Sequence, residues 1–181
     1  MEAAIIGVIG TLLGTVLGWF LNVLSNRGKV SVYLSSWTDS FRHKDNEGFM
    51  TDSTSESQAE YFEFECSLDI YNSSSYTKIM RDVKIVFCDG RKVLFSDIPN
   101  DQKVRKTGSY GTVMPQNIPP HTVVNIQLSS CLSIKDNNLF EIFRTNNIYL
   151  EYSNEKNKVR RVSLKKVDYR NHFENQANLS E

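Results

Sequence analysis

The sequence predicts an all-β fold, an antiparallel sandwich, preceded by a single N-terminal transmembrane helix. Three features carry that prediction. Residues Ala3 to Leu24 form 22 consecutive uncharged positions, most of them apolar. Beyond Lys29 the apolar residues recur at every second position instead. About seven short segments of that kind follow, with turn residues between them and no alternating helices, a pattern of packed antiparallel sheets rather than a parallel α/β sheet.

At 1.5 Å per residue the first segment is roughly 33 Å long, the thickness of a bilayer hydrocarbon core. It starts Met1-Glu2, without a basic leader, and ends in "LNVLSNRGK" rather than a small-x-small cleavage site, so it reads as an uncleaved anchor, residues 1–28 with its flanks. Arg27 and Lys29 follow it closely and Arg42 and Lys44 come later, whereas no basic residue precedes it, which places the C-terminal side in the cytoplasm. Trp19, with Arg27 and Lys29, is positioned to anchor the helix at the membrane interface.

On a helical wheel at about 100° per residue, Gly7, Gly10, Thr11, Gly14, Thr15, Gly18 and Asn22 share one arc with Ala3, Ala4 and Ser25, interrupted only by Leu21. Bulky residues fill the rest. Small residues let helix backbones approach in lipid, where apolar burial gives no driving force, so this face predicts self-association. Glycine is also simply common in membrane helices. The span holds no ionisable residue, which leaves a pore lined by Thr11, Thr15 and Asn22 as the lesser alternative.

Residues 29–167 are expected to form the sandwich. Val30, Val32 and Leu34 alternate with polar residues, and Phe62, Phe64, Cys66, Leu68 and Ile70 oppose Glu63, Glu65, Ser67 and Asp69. "DVKIVFC" and "KVLFS" flank Asp89-Gly90, a pair suited to a two-residue hairpin turn. Pro119 and Pro120 precede a strand with Val124, Ile126 and Leu128 on one face. "NNLFEIFRT" suits one or two helical turns, and "NIYLEYS" with "NKVRRVSLKKV" forms a last hairpin around Asn154 to Asn157. The polar stretches 38–60 and 97–120 read as long loops, spacers or partner sites, and residues 168–181 as a polar tail that frays after Tyr169.

The succession "DIYNSSS", "IMRDVKIVF", "IPPHTVVNIQL" and a final hairpin, over about residues 61–166, resembles bacterial immunoglobulin-like sandwich modules. The resemblance implies the architecture only; the Cys and Trp marks of antibody domains are missing, and no binding residue carries over.

Candidate chemistry is sparse. His43, His121 and His172 stand apart, no Cys/His spacing fits zinc, and neither a nucleophile elbow nor a phosphate loop occurs, so no catalytic residue, metal or cofactor is expected. Cys66 is expected to pack inward as a small hydrophobe and Cys88, beside a turn, to be more exposed; an odd cysteine count, with Cys131, suits a reducing compartment. Glu63, Glu65 and Asp69 share a face that reads as solvated rather than as an acid-base pair or cation site. With 21 basic and 21 acidic residues the net charge is zero, which argues against nucleic acid as partner.

Lys156, Lys158, Arg160, Arg161, Lys165 and Lys166 crowd the last hairpin, where they suit contact with anionic lipid or a partner, or simply protect an edge strand. Together these features suggest a single-pass membrane protein, homo-oligomeric through its glycine face, whose sandwich binds a protein partner. The competing class is a membrane-disrupting effector or toxin whose helix is the active part.

Overall fold

A computed structural model describes residues 2–25, 28–102 and 111–173. Helix α1 (Glu2–Ser25) comes first, followed by strands β1 (Val30–Lys44), β2 (Met50–Asp52), β3 (Tyr61–Asn72), β4 (Lys78–Asp89), β5 (Lys92–Asp97), β6 (Asn100–Asp101), β7 (Gln116–Ile118) and β8 (Val123–Ser133). A 3₁₀ turn (Phe140–Arg144) and strands β9 (Asn147–Ser153) and β10 (Val159–Lys166) complete the described chain. One sheet runs β2-β1-β3-β8-β6 and the other β10-β9-β4-β5, with β7 added to β4. Every pairing is antiparallel.

The alternation of β3 carries the core. Phe62, Phe64, Cys66, Leu68 and Ile70 are all buried and meet Ile85 and Phe87 of β4, Leu128 of β8, and Ile148 and Leu150 of β9. Phe87 stands edge-on to Phe62 and Phe64 at ring separations of 5.7 and 5.9 Å and stacks on Phe95 at 4.5 Å. Such aromatic pairs contribute about 0.5–1.5 kcal/mol each beyond area burial.

Several expectations are corrected. The stretch 38–60 is not one loop: Thr38 to Lys44 continue β1, and residues 50–52 return as β2 after a turn in which Asp45 Oδ1 accepts the N–H groups of Glu47 and Phe49 at 2.9 and 2.8 Å. The stretch 97–120 contains β6 and β7, and residues 103–110 within it lie outside the described residues. The β4–β5 turn falls on Gly90 and Arg91 rather than Asp89 and Gly90, because Asp89 pairs with Lys92; the positive φ of +60° belongs to Gly90. Cys88 is buried at 1% exposure, while Cys131 is the exposed thiol.

The segment after Tyr169 is not frayed from its start, because His172 and Phe173 pack on Phe41. Tyr169 is buried, and Tyr169, His172 and Phe173 surround Phe41 at ring separations of 5.2–5.5 Å, closing the end of the sandwich distant from the helix. Residues 174–181 lie outside the described residues.

Candidate functional site

The end of the sandwich nearest the helix is set by register. Val30, where β1 begins, pairs with Asn72 at the end of β3, and Tyr71 pairs with Val123 at the start of β8. Arg81 near the start of β4 and Val159 at the start of β10 both pair with Ser153. The helix exit, the 73–77 turn, the 119–122 turn and the β9–β10 hairpin tip therefore meet at one pole.

Asn72 is the knot of that pole. It is fully buried; its amide nitrogen donates to the carbonyls of Tyr76, Ile118 and Pro119 at 2.7–3.1 Å, and its Oδ1 accepts the Ser74 N–H and hydroxyl at 3.0 and 2.7 Å. The helix exit is fastened to the same turn. Lys29 N–H donates to Ser73 Oγ at 3.0 Å, and Ser73 N–H donates back to the Lys29 carbonyl at 3.1 Å. At Gly28 a Cβ would lie 2.3 Å from the Ser74 nitrogen and 2.4 Å from the Ser73 carbonyl carbon, so the backbones touch where only glycine fits.

Beside this junction opens a cleft of about 600 Å³, lined by Gly28, Lys29, Lys78 and the β9–β10 hairpin. Lys156, Lys158, Arg160 and Arg161 face it from the hairpin, against one lining carboxylate, Glu155. The hairpin is held rigidly: Asn154 Oδ1 accepts the backbone N–H groups of Lys156 and Lys158 at 3.0 and 2.9 Å, and Arg81 donates to Asn157 Oδ1. Lys78 bridges to Glu155 at 3.1 Å. Burial works against the Glu155 carboxylate, yet its own N–H and Lys78, with Lys156 nearby, hold its pKa below the usual range. Arg161 is matched by Glu151, which accepts from its Nε and Nη2 at 3.1 and 2.7 Å. Lys29, Lys156, Lys158 and Arg160 have no ion-pair partner among the described residues, so an excess of positive charge faces the cleft. Two residues, 26 and 27, separate Ser25 from Gly28, so the glycine on the cleft rim lies within roughly 11 Å of the end of the helix.

Sequence reasoning singled out the hairpin cations but treated them as one group. The structure divides them. Lys165 lies over the Trp37 ring at 5.9 Å and Lys166 pairs with Asn147, toward the distant end of β10, roughly 20 Å from Arg160 at strand spacing. Lys78, Gly28, Asn72 and Ser74 were not anticipated; the "NSSS" run after β3 is the one signal of a side-chain-stabilised turn there.

On α1, a Cβ added at Gly7, Gly10, Gly14 or Gly18 would meet nothing within 4 Å. The hydroxyls of Thr11 and Thr15 donate to the carbonyls of Gly7 and Thr11 at 2.9 Å, which leaves their oxygens as acceptors rather than as interhelical donors. Asn22 lies one turn beyond Gly18, Trp19 is 65% exposed, and Arg27 lies outside the described residues. The carboxylate face of β3 is engaged locally: Glu63 takes a salt bridge from Arg42 at 3.1 Å, and Asp69 accepts from Ser35 and Asn125, which lower its pKa in that order. Among the described residues no group of three His, Cys, Asp or Glu side chains is placed to hold a metal ion.

Residues 28–165 match the YopI Ig-like domain. Over 165 residues the chain is 26% identical to the SPbeta prophage-derived uncharacterized protein YopI of Bacillus subtilis (strain 168), an alignment covering 87% of this chain and 92% of that protein. A crystal structure of a protein from Archaeoglobus fulgidus superposes with a TM-score of 0.37 at 10% identity, over 74% of this chain and 98% of the other. The family match begins at the glycine that joins helix to sandwich and runs to the last strand, in keeping with the immunoglobulin-like architecture read from the strand order, and the chain belongs to the YopI Ig-like domain family.

Proposed function

We propose that this is a single-pass membrane-anchored interaction protein: its helix associates with further copies of itself, and its sandwich binds a protein partner at the membrane surface. The carrying observation is the uncovered helix. Eleven large apolar side chains of α1, from Ile6 to Leu24, are between 42% and 70% exposed, and none of the span from Ile6 to Leu24 is buried. Covering each is worth roughly 1.5–3 kcal/mol, so water is not their solvent. Lipid supplies that cover on the bulky faces. The open row Gly7, Gly10, Gly14 and Gly18 gives a second helix a smooth surface for close approach, and packing there rests on backbone contact more than on the threonine hydroxyls. Arg27 and Lys29 after the span support a cytoplasmic sandwich.

Chemical crosslinking of the full chain in membranes tests the reading. Gly14→Ile with Gly18→Ile is expected to reduce crosslinked dimers and larger species at least about tenfold, the equivalent of about 1.4 kcal/mol of lost packing. Leu12→Ile, on the opposite face, is expected to leave them intact. Equal oligomer yields from both variants would show that the glycine face is not the contact. Identifying the protein that co-purifies from the crosslinked membranes then tests the partner.

A further inference from the structure

We propose that the cleft between the helix junction and the β9–β10 hairpin binds the phosphate of an anionic phospholipid headgroup in the leaflet from which α1 emerges. The inference rests on the membrane anchoring proposed above and adds a ligand and a site to it. Four observations converge. The cleft holds an excess of cations, with Lys29, Lys156, Lys158 and Arg160 outside any ion pair among the described residues, in a chain whose net charge is zero. Its volume of about 600 Å³ lies in the range of small-ligand sites, and it is partly open to solvent, as a headgroup would need to enter it. The hairpin-tip backbone is fixed by Asn154 and by Arg81, so a ligand has only the lysine side chains to order there. Gly28 on the rim is fastened to the 73–74 backbone and lies within roughly 11 Å of the helix end, so the cleft opens beside the point where the chain leaves the helix.

Cations within a Debye length of an anionic leaflet are attracted to it, and a phosphate within the cleft can accept from several donors at once. The distant cations Lys165 and Lys166 stand on the far part of β10 and serve as an internal control.

The test uses the full chain in nanodiscs, either of phosphatidylcholine alone or with phosphatidylglycerol added, and reads amide hydrogen exchange over residues 154–160. Phosphatidylglycerol is expected to slow exchange there about fivefold or more, the factor one basic contact with an anionic surface supplies. Lys156→Gln with Lys158→Gln and Arg160→Gln is expected to abolish that protection, and Lys165→Gln with Lys166→Gln to leave it unchanged. Equal losses from both sets would mean diffuse attraction of a basic edge and would overturn the site. Full protection by millimolar inorganic phosphate in phosphatidylcholine discs would assign the cleft to a free anion instead of a lipid. Incorporation into discs without phosphatidylglycerol-dependent protection would sink the cleft alone, whereas failure to incorporate would sink the anchoring beneath it.

Discussion

Tyr169 and Asp39 show how a single pair can close a fold. Asp39 lies on the inward row of β1 between Trp37 and Phe41, a costly place for a carboxylate unless something meets it, and the Tyr169 hydroxyl donates to its Oδ2. Burial, reinforced by the Asp39 charge, raises the Tyr169 pKa above the ordinary tyrosine range. The native state therefore holds that proton where the unfolded chain, titrating near pH 10, releases it, so stability is intact below about pH 10 and falls as pH rises above it. Between pH 9 and pH 11 the wild type should lose about 1 kcal/mol more than Tyr169→Phe, read as urea midpoints at each pH. Parallel alkaline slopes for the two proteins would contradict this. At neutral pH the variant should be weaker by about 1–3 kcal/mol, because Asp39 is left without its donor.

Strand β1 explains why part of the fold was legible in the sequence and part was not. Its first half reads clearly: Val30, Val32 and Leu34 point inward opposite Asn72, Ile70 and Leu68. A bulge between Leu34 and Ser36 then shifts the phase, so that Trp37, Asp39 and Phe41 take the inward positions. One inserted residue and one inward carboxylate erase the alternation, and a strand of 15 residues looks like a short strand followed by a loop. The partner that makes Asp39 tolerable lies 130 residues away, beyond the reach of any local pattern. For the same reason the C-terminal segment looks polar in sequence while it covers Phe41. The cleft shares this limit: Lys156 to Arg161 are visible as a cluster, but Lys29 and Lys78 join them only through strand register. Ending the chain at Val167 should cost about 3–5 kcal/mol, comparable to truncating a buried aromatic, because Phe41 and Phe143 lose the rings of Tyr169 and Phe173. Denaturant unfolding of the shortened chain measures this, and an unchanged midpoint would show that the segment is only a tail.

At the scale of the whole molecule, the helix and the sandwich solve different solvent problems and share almost no packing. The sandwich buries its own apolar faces, and its hydrophobic core contains no residue of α1. The helix surface is uncovered from Ile6 to Leu24, and the connection between the two is the chain around Gly28, clasped by Ser73 and Ser74. Residues 28–181 expressed without the helix should therefore fold as a soluble domain. Its thermal midpoint should fall within about 2–4 °C of the full chain measured as dilute monomer in detergent, the shift that about 1 kcal/mol produces in a chain of this size. A larger drop would mean that the helix stabilises the sandwich through contacts other than the junction. An unchanged midpoint would leave the proposed helix association and partner binding thermodynamically separable, linked among the described residues where Lys29 and Ser73 exchange hydrogen bonds. In that case any effect of helix pairing on the sandwich must pass through the 73–77 turn and reach the basic cleft beside it first.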